Sequence, residues 1–99
     1  MKKIQDEKQT VIRKVNYEKD GYQYEYTLFV RNSRETASYR LPLYSVSARM
    51  TDKDGAVTSH TLSDVFADGG RAIVFFDYVS KNLATPTDLP YVFEDEFVH

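Results

Sequence analysis

Histidine is the side chain most readily recruited as a general base, and this chain offers two, His60 and His99. His60 has no serine, aspartate or further histidine at the spacing of a nucleophilic triad or a metal site, and His99 closes the sequence. There is no cysteine. That removes thiol nucleophiles, zinc–thiolate sites, iron–sulfur clusters and disulfides together. Asp52, Lys53 and Asp54 echo a calcium loop, but the closing glutamate of such a loop is missing and a hairpin turn accounts for the residues. Gly69 and Gly70 could offer free N–H groups to an anion at a helix start, although a flexible turn explains an isolated glycine pair better. The sequence therefore assigns no catalytic residue, no metal ligand and no cofactor, and it points away from an enzyme.

What remains is the chemistry of recognition. Eight tyrosines occur in 99 residues, and Tyr22, Tyr24 and Tyr26 alternate in register, with Tyr17 across the expected hairpin. Such rings can stack on nucleic-acid bases, with Arg31, Arg34 and Arg40 nearby for phosphates, or anchor a protein partner. The plainer reading is that cross-strand tyrosines suit strands and pack beneath helices. Glu94, Asp95 and Glu96 form an acidic run that could dock a basic partner, against the plainer reading of a solvated helix face. The sequence pI near 5.6 counts against nucleic acid. Net charge is −2, but residues 1–40 hold nine Lys/Arg against six Asp/Glu, whereas residues 41–99 hold four against nine. The two halves thus carry opposite charge, which packing them together would partly compensate.

The elements that must position these residues follow from hydrophobic period. Residues 1–9 are polar apart from Ile4 and read as a frayed start or a short helical turn. Over residues 10–18 the pattern alternates, placing Val11, Arg13, Val15 and Tyr17 on one face. Asp20 and Gly21 supply a hairpin turn, and residues 22–31 alternate again. Residues 32–38 are a polar loop. Beyond Pro42, the residues Tyr44, Val46, Ala48 and Met50 define a third strand. Asp54 and Gly55 repeat the turn signal, and residues 57–62 make a short fourth strand.

The period then changes. Asp68 can cap a helix in which Ala72, Phe75, Phe76, Val79 and Leu83 form an apolar stripe, with Asn82 as its stop. Pro90 places the start of a second helix near Thr87 or Asp88, with Leu89, Val92, Phe93 and Phe97 on one face. The expectation is a single α+β domain spanning residues 1–99: an antiparallel sheet of about four strands, in two hairpins, packed by two C-terminal helices. Each buried aromatic contributes roughly 1.5–3 kcal/mol by area, so loss of the tail from Asp88 should unfold it.

Several segments look alike in another setting: Tyr44-Ser45-Val46, residues 63–68, residues 72–82, Pro86-Thr87-Asp88-Leu89 and Glu94-Asp95-Glu96-Phe97. Over about residues 40–97 the chain resembles a family of short proteins from Clostridia-type Firmicutes, a domain of unknown function. The resemblance implies a β-rich first part, an acidic helix start over residues 63–68, an aromatic helix and an acidic-Phe ending. It implies no activity, cofactor or catalytic residue.

The start is basic but has no apolar run behind it, unlike a signal peptide. The strongly apolar stretch at residues 72–76 is far too short to span a membrane. The expected function is a cytoplasmic, non-enzymatic protein-binding or regulatory module acting through Tyr22, Tyr24 and Tyr26 or through Glu94, Asp95 and Glu96. An inhibitor encoded by a phage or mobile element belongs to that class. The alternative is a single-stranded nucleic-acid binder using the tyrosine face. The partner is an unidentified protein, with a homodimer open and no membrane.

Overall fold

The structure, a computed structural model, describes residues 9–32 and 41–97, with side chains through Asp95. The expected frayed start, most of the expected 32–38 loop, Arg34, Arg40 and His99 lie outside the described residues. Four strands, β1 (Thr10–Lys19), β2 (Tyr22–Asn32), β3 (Pro42–Thr51) and β4 (Val57–Phe66), precede α1 (Gly69–Lys81) and α2 (Leu89–Phe97). The strands form one antiparallel sheet in the order β1-β2-β3-β4, and both helices pack on one face, so the architecture is the α+β one read from the sequence.

Both hairpins form where Asp-Gly places them. Asp20 and Gly21 take positive φ, 55° and 84°, the two-residue turn whose twist matches its flanking strands. In the second turn, Asp52 Oδ1 accepts from the N–H groups of Asp54 and Ala56, each at 2.9 Å. The Asp52 carboxylate of the calcium-like sequence is thus occupied in closing the turn.

Pairing aligns the side chains in rows across the sheet. On the helix side run Arg13–Leu28–Val46–Leu62, then Val15–Tyr26–Ala48–His60, then Tyr17–Tyr24–Met50–Thr58. On the open side run Lys14–Thr27–Ser47–Thr61 and Asn16–Glu25–Arg49–Ser59. Two bulges depart from the sequence reading. One, between Val11 and Arg13, makes Ile12 an extra residue and turns Val11 opposite Phe29 on the open side, not beside Val15. The other sets three residues of β4 against Ser45 alone, between the pairs Tyr44–Phe66 and Val46–Leu62. As a result β4 continues to Phe66, and residues 63–66 are strand rather than the acidic helix start that the family resemblance implied.

The core joins Tyr26, Leu28, Val46 and Ala48 to Phe66, Ala72, Phe75, Phe76, Val79 and Leu89. Phe66, Phe75 and Phe93 form a triangle of rings 5.5–5.6 Å apart, two of its three contacts edge-to-face. The phenylalanine clasp expected from the helices therefore has a third source, the end of β4; the Phe97 side chain lies outside the described ones. Asp68 caps α1, its Oδ1 accepting from Gly70 N–H at 3.1 Å. That carboxylate takes the place an anion would occupy. A Cβ on Gly69 would meet the Tyr44 hydroxyl at 2.8 Å, so close packing accounts for this glycine.

Candidate functional site

The tyrosine strand is divided by the helices. Tyr26 is fully buried, and its hydroxyl donates to the Ala84 carbonyl at 2.8 Å. Burial, reinforced by the Tyr24 and Tyr17 phenols, pushes its pKa well above the usual value of 10.0. Tyr24 stacks on it at 6.5 Å with planes 7° apart and is half-buried, as is Tyr22. Of these four tyrosines, Tyr17, tilted over Tyr26 at 6.5 Å, is the most exposed, at 41%. Tyr26 is thus a core residue and not a contact residue, because the chain leaving α1 crosses directly above it. Arg31, expected to reach a phosphate beside these rings, lies on the opposite face and grips Asp64 with two bonds of 3.1 and 2.8 Å.

That Arg31–Asp64 clasp belongs to the β4 bulge. Asp64 sits at φ 55°, a region that aspartate tolerates better than most residues. Its N–H donates to the buried Ser45 hydroxyl at 2.8 Å. The three side chains hold a strained strand, which is a sufficient account of them.

The acidic helix leads to a different place. Glu94 and Asp95 are exposed on α2, while the Glu96 side chain lies outside the described ones. Beside them Tyr91 is 64% exposed, and across from it on α1 Tyr78 is 42% exposed. These rings face a groove of about 360 Å³ floored by Leu83 and Val92 and edged by Asp88 and Asp95. The chain between the helices shapes it. Asn82 ends α1, Leu83 N–H bonds to Ser80 O and Ala84 N–H to Val79 O, the paired bonds of a Schellman ending. The left-handed position of that motif normally falls to glycine, yet here Leu83 occupies it at φ 51°. A leucine there costs about 1–2 kcal/mol of backbone strain, and such strain collects at binding sites.

Sequence periodicity missed Tyr78 and Tyr91 because it searched for the apolar stripe, and both lie off it. That displacement was itself the available signal, because an aromatic off the buried stripe turns part of its surface toward solvent. Leu83 gave no signal at all. Among the described residues, no three His, Asp or Glu side chains gather as a metal site, and His60 is exposed at the sheet edge. No described helix is long and apolar enough to cross a membrane. Family models, curated proteins and solved structures yield no match to this chain, so geometry alone carries the functional reading.

Proposed function

We propose that this domain is a non-enzymatic protein-binding module whose recognition surface is the α1–α2 groove, and that its partner is a basic protein segment. The observation that carries this reading is the exposure of Tyr78 and Tyr91 on either side of a groove edged by Asp88 and Asp95. Tyrosines dominate protein recognition sites because they present a large rigid surface with a polar tip. A guanidinium or ammonium group between two such rings gains cation–π attraction as well as the carboxylates. The carboxylates of Asp88 and Asp95 give the groove the charge that attracts such a cation.

The domain acts in the cytoplasm, where a chain without cysteine loses nothing to the reducing conditions. An inhibitor from a mobile element would work through the same contact, occupying a basic surface of its target. The family resemblance over residues 40–97 implies no activity and leaves this reading to the groove. A single-stranded nucleic-acid role fits less well, since Tyr26 is removed from the platform that role needs and the groove carries the wrong charge for phosphate.

The test is a titration of isotope-labelled protein with arginine-rich and glutamate-rich peptides. Amide shifts should map to α2 and the 82–88 segment, weaken with salt, and vanish in Tyr91→Ser while surviving in Tyr17→Ser. Equal shifts with the acidic peptide, or shifts confined to the sheet, would sink the proposal.

A further inference from the structure

A separate surface makes a second contact possible. β1 is an edge strand, exposed along nearly its whole length, with only Val15 half-buried. We infer that two copies of this chain pair antiparallel through β1, about a two-fold axis at Asn16, to form a continuous sheet across both.

Three observations specify this register. The first is hydrogen-bond phase. The two-residue turn at Asp20 and Gly21 makes Lys19 and Tyr22 a hydrogen-bonded pair. Bonded and non-bonded pairs alternate from there, so Val15 and Tyr17 spend their backbone groups on β2. Lys14, Asn16 and Glu18 aim theirs outward, at open solvent. An added strand can bond only to those three.

The second observation is where the regular strand ends. The bulge at Ile12 closes it on one side and the turn closes it on the other, leaving residues 13–19. The midpoint of that segment is Asn16, which is one of the three outward residues. Centring there matches the whole regular strand with itself and places Asn16 against Asn16 of the second copy.

The third is side-chain complementarity in that register. On the open face, Lys14 meets Glu18 of the second copy, and the reverse pair repeats it across the axis. On the helix face, Val15 meets Tyr17, which is 41% exposed in the single chain. A shift of two residues in the strand-pairing sum loses both matches: one way Lys14 meets Asn16, the other way Glu18 does. The single like-charged meeting, Arg13 with Lys19, is moderated by Asp77 on α1, which holds the Arg13 guanidinium at 3.2 Å. Edge strands that merely repel other chains carry unmatched charge; here the charges match about an axis. The closed two-fold pairing also consumes this edge without leaving it free to propagate.

Because the chain has no cysteine, a single introduced thiol reports the axis directly. In Asn16→Cys the two thiols should lie on Cα atoms about 5.5 Å apart, within disulfide reach, and oxidation should give a covalent dimer. In Glu18→Cys the equivalent atoms fall about 14 Å apart along the strands, and oxidation should leave monomer. Sedimentation of the unmodified chain should show a concentration-dependent dimer. Glu18→Lys should weaken it on the order of tenfold, and Lys14→Glu with Glu18→Lys should restore it. Asn16→Pro, which removes an outward N–H without touching the β1–β2 ladder, should abolish it while circular dichroism stays unchanged. A chain that remains monomeric at every concentration overturns the inference. So does equal crosslinking of both thiol variants, or a dimer indifferent to Asn16→Pro.

Discussion

On the helix side of the sheet, the row Val15–Tyr26–Ala48–His60 descends from full burial at its middle to exposure at its end. One residue along each strand, on the opposite side, the row Lys14–Thr27–Ser47–Thr61 is polar throughout, yet Thr27 is only 8% exposed. Thr27 lies between Lys14 on β1 and Ser47 on β3, and the Lys14 ammonium reaches Glu25 at 3.3 Å. Tyr17 is the reverse case, an aromatic residue on the helix side that stays 41% exposed. The two faces differ because one receives the layer of α1 and α2 and the other does not. Residue type says which face a side chain belongs to; coverage says whether it is buried.

The contrast can be broken most forcefully by removing the second layer. Ending the chain after Thr87 deletes Leu89, which is fully buried, together with Phe93. The sheet should then lose cooperative unfolding in urea altogether. Phe75→Ala, which removes one corner of the ring triangle, should cost about 3–5 kcal/mol by the same measurement. Persistence of a native-like midpoint in either variant would show that the open face stabilises the sheet by itself.

Tyr26→Phe sharpens the comparison at one atom. The lost hydroxyl leaves the Ala84 carbonyl without its donor, and the expected cost is about 1–2 kcal/mol. The same phenol makes stability depend on alkaline pH. Its pKa is raised on folding, so the unfolded chain releases that proton first as pH climbs past about 10. The Tyr26 contribution is therefore fully present below that value and declines above it, and Tyr26→Phe should flatten the decline. An identical alkaline profile in the variant would argue against a buried, neutral phenol.

Smaller effects belong to the open face. Arg31→Met should cost about 1 kcal/mol, because the clasp on Asp64 is well oriented but remains partly solvated, with side chains 23% and 32% exposed. Lys14→Gln should change stability by less than about 0.5 kcal/mol, since its pair with Glu25 is at the surface. Measured costs in the opposite order would mean that the surface pair holds the open face more tightly than the clasp does.

Much of this was legible in short segments of chain. Asp20-Gly21 announced a turn because few residue pairs accept two positive φ angles, and the alternation after it set the faces of β2. Asp68 and Asn82 marked the ends of α1 to the residue. The bulges were not legible. An extra residue such as Ile12 keeps strand propensity and merely changes which face follows, so period counting runs straight through it. The β4 bulge was hidden further, because Asp64 reads as a helix-start residue until Arg31 and Ser45, distant in sequence, are brought to it.

The candidate groove was only half readable. Glu94 and Asp95 were visible as an acidic run, but the rings that give the run a use come from α1 and from the start of α2. Local sequence determined the elements, because backbone preference, capping and hydrophobic period act over a few residues. Tertiary structure decided the surfaces, for burial depends on where a second layer comes to rest. It set Ala84 over Tyr26 and withdrew that ring from solvent. It turned Leu83 into a strained corner and opened the space between Tyr78 and Tyr91.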